Sequence, residues 1–238
     1  MNGKRSGKGK ESDDEGELKF EGEYLNGIKW DGKGYDIPDN IAYELNRGKG
    51  YVKEFGEEGE LKFEGENLNG QRNGKGKEYG YDGKLIFEGE YVNGKINGKG
   101  KAYDEGKLIF EGEYLYGNEL KGKKYINEKL EYEGEYLYHK KWNGKGYDEN
   151  GNIIYELNNG NGKVKEYDVI NQILFEGEYL NGKGWNGKGK EFHNLYELKF
   201  EGEYLNGKRW NGKGREYDND GNYLFKVEYL NGEKRSIK

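Results

Sequence analysis

The chain repeats itself, and the repeat unit is short. Phe20-Glu21-Gly22-Glu23-Tyr24-Leu25-Asn26-Gly27 runs on through Trp30 to Gly32-Lys33-Gly34, and comparable starts fall at Phe63, Phe87, Phe110, Tyr132, Phe175 and Phe200. A decayed copy starts at Phe225, with Val227 in the glycine position, and shortened copies start at Tyr43 and Tyr155. This makes about ten units of roughly 20–25 residues, a period typical of arrays whose units bury their apolar faces only against neighbours. A longer duplication overlies the short one: Phe20 to Gly70 aligns without gaps on Tyr132 to Gly182.

Within a unit the pattern is that of a hairpin. In Leu18 to Tyr24, Leu, Phe, Gly and Tyr alternate with Lys, Glu and Glu, which is the period of a strand with one charged face. Asn26-Gly27, Asn69-Gly70, Asn93-Gly94, Asn181-Gly182 and Asn206-Gly207 supply turns, because both residues tolerate positive φ. Gly74-Lys75-Gly76-Lys77-Glu78-Tyr79 reads as a return strand. No apolar period of 3.6 residues is sustained anywhere, so essentially no helix is expected. The mid-strand glycines need a reason, since glycine weakens a strand interior. Between two aromatics of one face, glycine leaves a slot where a ring can lie against bare backbone. Composition matters here because only 32% of residues are hydrophobic while 36% are charged. An ordinary globular core is not available, and the ordering has to come from the periodic aromatics.

These residues carry a family resemblance. An aromatic-x-Gly-x-aromatic strand, then Asn-Gly, then Gly-x-Gly, resembles the MORN repeat over nearly the whole chain. Some units depart by one residue, an insertion carrying Trp30 or Trp210, while Gly70 to Gly74 and Gly94 to Gly98 keep the usual spacing. The resemblance implies a single-layer antiparallel β array used in scaffolding, dimerisation or membrane association, with no catalytic activity of its own. The expected fold is all-β: one elongated, single-layer antiparallel sheet of about ten tandem hairpins, a single array over residues 1–238.

No catalytic constellation is evident. With no cysteine and only His139 and His193, both in turn-like positions, the common nucleophile–base arrangements lack parts. The Gly-x-Gly runs lack the Gly-Lys-Ser/Thr ending of a phosphate loop. The expectation is therefore a non-enzyme with no metal and no cofactor, and the net charge of −6 argues against nucleic acid as a partner. Two surfaces remain as candidates. One is the aromatic face with its tryptophan-bearing turns: Tyr24, Trp30, Tyr91, Tyr114, Tyr136, Trp142, Tyr179, Trp185, Tyr204 and Trp210. The other is a set of lysines that would form a basic stripe if the units stack in register: Lys33, Lys75, Lys99, Lys145, Lys188 and Lys213. The first would hold a protein partner; the second would meet anionic lipid headgroups such as phosphatidylserine or phosphoinositides. The bland alternative for the lysines is compensation by neighbouring glutamates.

The leading functional expectation is a cytoplasmic protein-binding scaffold. Peripheral attachment to anionic membranes is the runner-up, and a regulatory array serving an enzyme on another chain is the remoter third. Gly3 to Glu11 reads as half a unit and Gly232 to Lys238 lacks the usual glycine pair, so neither end shows a cap. Uncapped sheet edges invite pairing between copies.

Overall fold

The computed structural model describes residues 4–36, 40–56, 58–168, 172–193, 197–218 and 220–237. Gly3 and Lys238, named above as terminal positions, lie outside them. Every regular element among the described residues is a strand, and the strand pairs within each sheet are antiparallel between neighbours in sequence. The contacts divide into two compact units, Met1–Leu120 and Lys121–Lys238.

The first unit holds β1 (Gly7–Ser12), β2 (Leu18–Leu25), β3 (Ile28–Tyr35) and β4 (Ile41–Leu45), joined in that order as one sheet. It continues with β5 (Lys49–Phe55), β6 (Leu61–Leu68), β7 (Gln71–Tyr79), β8 (Leu85–Val92), β9 (Lys95–Asp104) and β10 (Lys107–Leu115), again paired in chain order. In the second unit β11 (Asn118–Ile126, counted here from Lys121), β12 (Lys129–Leu137), β13 (Lys140–Tyr147) and β14 (Ile153–Leu157) pair in order. A seven-stranded sheet follows: β15 (Gly162–Tyr167), β16 (Ile173–Leu180), β17 (Lys183–Phe192), β18 (Leu198–Leu205), β19 (Lys208–Tyr217), β20 (Tyr223–Leu230) and β21 (Glu233–Ile237). No sheet closes into a barrel, and the expected run of hairpins is present.

The turns form as their residues dictate. Asn26 and Gly27 both take positive φ, 53° and 85°, which is the two-residue hairpin turn whose twist matches the strands it joins. Many of these turns also bond to the unit before them. The amide of Gly207 donates to the Trp185 carbonyl at 2.8 Å, and that of Asn206 donates to the Asn186 side-chain oxygen at 2.9 Å. The same two bonds recur one hairpin later, from Gly232 to Trp210 and from Asn231 to Asn211. The Asn of Trp-Asn-Gly-Lys-Gly is therefore a clasp between successive hairpins.

The tryptophan insertion is a β-bulge. Across β2 and β3, Glu23 opposes Asp31 and Tyr24 opposes Lys29, so Trp30 is the extra residue. Trp142, Trp185 and Trp210 occupy the equivalent places. Units without the insertion solve the register differently: Phe63 opposes Glu78, whereas Phe20 opposes Gly34. Measured along the return strand, the shorter unit has slipped by two positions. A slip of one would have turned every side chain to the wrong face.

Among the described two-residue turns, Asn127-Glu128 and Tyr138-His139 hold no glycine. Glu128 and His139 sit at φ 64° and 62° in positions that elsewhere carry glycine. Left-handed backbone costs an L-residue roughly 1–2 kcal/mol. Glu128→Gly and His139→Gly are each expected to raise stability by about 0.5–1 kcal/mol once the extra chain entropy of glycine is offset, read as a higher urea midpoint at unchanged slope. Lower midpoints for both would show that these turns are not strained.

Candidate functional site

The aromatic rings lie in the glycine slots. Gly22 opposes Gly32 across β2 and β3. A Cβ on Gly22 would stand 2.1 Å from the Asp31 carbonyl oxygen and 2.9 Å from Cζ of Phe20, so the bare pair is the floor on which the ring rests. The same geometry holds for Phe63 on Gly65 and Gly76, and for Phe200 on Gly202 and Gly212. Phe20, Phe63, Tyr132 and Phe200 are fully buried. Each packs edge-on against tyrosine: Phe20 on Tyr24 at 5.5 Å between centroids, Phe63 on Tyr91 at 5.4 Å, Phe200 on Tyr204 at 5.4 Å and on Tyr229 at 5.3 Å. Such pairs contribute about 0.5–1.5 kcal/mol beyond the area they bury.

In the decayed unit a valine fills the slot and the ring is exposed. Val227 replaces the glycine of the decayed unit and is itself fully buried against Gly214, while Phe225 is 39% exposed. Val52 and Val164 are buried in the equivalent return-strand places, opposite Gly65 and Gly177.

The open side of four of the rings is covered by charge. The residue nine positions after the ring reaches over its face: Lys29 Nζ stands 4.9 Å from the Phe20 centroid, and the Arg72, Lys141 and Arg209 cations stand 4.1, 5.2 and 4.8 Å from Phe63, Tyr132 and Phe200. Each cation is held by a glutamate two strands away in chain order: Glu11, Glu54, Glu166 and Glu191. Arg209 donates to both oxygens of Glu191, which also accepts the Tyr204 hydroxyl at 2.7 Å. Lys29 donates to Glu11 at 3.1 Å, and Glu11 accepts the Tyr24 hydroxyl at 3.1 Å. In the second unit Lys141 sits between Glu131 at 2.5 Å and Glu166 at 2.7 Å, and Tyr179 donates to Glu166 at 2.5 Å.

These bonds set the protonation of the carboxyls. Burial is the largest influence on Glu166 and pushes its pKa up. The charge and hydrogen bond of Lys141, with the Tyr179 hydroxyl, outweigh it and hold the carboxyl below the usual glutamate range. Glu191 is lowered in the same way, burial being overcome by hydrogen bonds from Arg209 and Tyr204. Burial also raises the phenol of Tyr43 to about 12.

The structure thus places the ten aromatic candidates inside the fold. Tyr24, Tyr91, Tyr114 and Tyr136 are buried, and Tyr179 and Tyr204 are half-buried with their hydroxyls on glutamates. Trp30, Trp142, Trp185 and Trp210 are half-buried against the next turn. A Cβ on Gly48, Gly160, Gly207 or Gly232 would fall 2.7–3.3 Å from the respective indole ring. The open aromatic groove anticipated above is therefore already filled by the molecule itself.

The six lysines are exposed on the opposite face, but they do not make a basic stripe. Lys33 stands between Glu21 and Glu44, Lys145 between Glu133 and Glu156, Lys188 between Glu176 and Glu203, and Lys213 between Glu201 and Glu228. Lys75 faces Glu90, and Lys99 faces Glu113. The expectation of separate stripes is corrected by the register: each of these lysines has a glutamate opposite it on an adjacent strand. Ion pairs such as Lys33–Glu44 at 3.6 Å and Lys188–Glu203 at 3.7 Å are exposed and contribute little.

Two features escaped the sequence reading. Glu78 and its equivalents were legible, since the alternation in Gly76-Lys77-Glu78 puts the glutamate on the glycine face. The second is a row of exposed apolar residues just before the turns, on the charged face: Leu25, Val92 and Leu115 in the first unit, and Leu137, Leu180, Leu205 and Leu230 in the second, each 38–45% exposed. His193 stacks flat on Tyr217 at 4.3 Å, and His139 is the turn residue described above. A scan against protein-family models finds no match, and a search of curated proteins finds none.

Removing Lys141 leaves two buried carboxylates facing one another. Lys141→Met is expected to cost about 3–5 kcal/mol in urea unfolding at neutral pH. Because Glu166 and Glu191 have lowered folded-state pKa values, their contribution is complete above the ordinary glutamate value of about 4.3 and is lost as pH falls below it. Wild-type stability should therefore fall through that window, and Glu166→Gln should flatten the fall. An unchanged acid profile in the variant would contradict the assignment.

Proposed function

We propose that this chain is a non-catalytic, cytoplasmic protein-binding scaffold of the MORN-repeat type. The family reading is supported by the role each motif position plays: aromatics on glycine slots, Asn-Gly at the turns, Gly-x-Gly on the return strand. The observation that carries the binding reading is the row of exposed leucines and Val92, present in each full hairpin but β6–β7, on the face away from the rings. Exposed apolar residues in regular series mark interaction surfaces, and successive stacked units present such series to extended partners. Because the aromatic side is consumed by the fold, the partner is assigned to the outer row and the charged residues beside it.

Membrane attachment has less to rest on, since each candidate lysine has a glutamate opposite it and the local charge averages out within a Debye length of about 8 Å.

The test uses the full chain and a variant with Leu180, Leu205 and Leu230 changed to Ser, checked for equal melting temperature. A protein retained from the native source by the parent chain, lost by the variant and rebound in purified form supports the scaffold reading. Equal retention by both removes the outer row as the site. Vesicles containing phosphatidylserine and phosphoinositide form the second arm. No co-sedimentation at near-physiological salt is expected. Binding that persists there, and disappears when Lys75, Lys99, Lys188 and Lys213 become Glu, would replace the scaffold by membrane attachment.

A further inference from the structure

One facing pair breaks the charge pattern of the sheets. At seven junctions between successive hairpins a lysine of the return strand faces the glutamate that follows the ring, as Lys77 faces Glu88 and Lys190 faces Glu201. Several of these close as ion pairs, Lys10–Glu21 at 3.1 Å and Lys190–Glu201 at 3.7 Å among them. Between β19 and β20 the same place holds two cations. Arg215 faces Lys226, which stands where the other units carry glutamate. Like charges directly opposite one another destabilise a sheet.

The neighbouring side chains leave both cations uncompensated. Arg215 and Lys226 are exposed, and neither side chain makes an ion pair or a hydrogen bond among the described residues. The acids one step along the strands are already shared. Glu201 pairs with Lys190 and faces Lys213, and Glu228 stands between Lys213 and Arg235. Across from Lys226 on the other side lies Ile237, 40% exposed, and two residues before it Leu224, 51% exposed. Two free cations bordered by exposed aliphatic side chains are thus kept at a cost to the fold. A position that breaks a local rule without an internal compensation is where function is expected.

The other hairpins show what fits there. Lys226 displaces a carboxylate, and in the equivalent pairs a carboxylate is what the return-strand cation holds. The guanidinium of Arg215 adds a fork of donors matched to two carboxylate oxygens. We propose that Arg215 and Lys226 together receive a carboxylate from an extended acidic segment of a partner protein, an aliphatic neighbour of that acid lying against Ile237 and Leu224. The partner's acid takes the place of the glutamate that the decayed hairpin lacks. This deepens the scaffold reading and rests on it for the source of the carboxylate.

The experiment is a titration of the full, isotope-labelled chain at low salt, followed by backbone amide shifts. The probes are an acetylated, amidated Gly-Leu-Glu-Leu-Gly peptide, the same peptide with Gln in place of Glu, and inorganic phosphate. Saturable shifts at Arg215, Lys226 and Ile237 are expected with the Glu peptide. Binding of the Gln peptide is expected to be about tenfold weaker, the loss that goes with one hydrogen bond to a charged group. Lys226→Glu restores the facing pair of the other hairpins, so this variant is expected to fold, to show a higher urea midpoint than the parent and to lose the peptide. Absence of Glu-dependent shifts at these residues, or undiminished binding by Lys226→Glu, overturns the site. An unchanged or lower urea midpoint overturns the premise that the pair is kept at a cost. Phosphate bound more tightly than the peptide overturns the acidic segment as occupant. Because the probes are short and synthetic, these results are independent of whether the leucine row captures a protein.

Discussion

An aromatic ring resting on a pair of facing glycines is the contact on which the rest of this structure depends. A sheet with one face in water normally covers its other face with a second layer. These hairpins instead lay each ring flat against backbone that has been stripped of Cβ atoms. Strand interiors therefore carry glycine where propensity disfavours it, and the ring repays the loss through burial worth about 1.5–3 kcal/mol for a phenylalanine. The decayed unit is an internal control: with Val227 in the slot the apolar volume is still filled, and Phe225 is released to solvent.

The remaining features follow from that contact. A ring lying on a sheet has one face open, and the fold closes it with a cation nine residues onward, a glutamate and a tyrosine hydroxyl. Lys29, Arg72, Lys141 and Arg209 thus act as lids as much as charges. The tryptophan bulge places an indole over the glycine of the following turn, and the neighbouring Asn or Asp accepts that turn's amide, as Asp31 does from Arg47 at 2.7 Å. Many of these bonds join a hairpin to its immediate neighbour, as Arg209–Glu191 and Asn206–Asn186 do. Stability in such an array is a sum of local and nearest-neighbour contributions, which explains how a chain with so few apolar residues holds order along its length.

Much of this was legible in the sequence, for stated physical reasons. Strict alternation in Leu18 to Tyr24, the Asn-Gly pairs and the mid-strand glycines specify hairpins, turns and slots, because each residue type fits one local geometry only. The insertion at Trp30 was visible as an extra residue, although its identity as a bulge needed the register. The two-position slip of the shorter units was not legible, because both registers keep the same residues on the same face. The alternation of Lys33, Lys145, Lys188 and Lys213 with glutamates was hidden for a related reason: it depends on which strands are adjacent, and composition by unit suggested stripes instead. The alternation puts the repeat tyrosines on the side of Phe20, but that Glu11, Glu166 and Glu191 bind the hydroxyls of Tyr24, Tyr179 and Tyr204 depends on which strands are adjacent. The cluster of Glu131, Lys141 and Glu166 had no sequence signal at all, since it joins three different strands.

The slot itself can be measured. Gly34 lies under the ring of Tyr43, and a Cβ there would stand 2.1 Å from both Cε1 and Cζ of the ring. A double-mutant cycle in urea with Gly34→Ala, Tyr43→Ala and the pair tests the contact directly. If the ring occupies the slot, Gly34→Ala is strongly destabilising in the parent chain and close to neutral once the ring is gone, an interaction energy of about 2 kcal/mol or more. Additive losses would contradict the account, because they would mean that the glycine and the ring contribute independently.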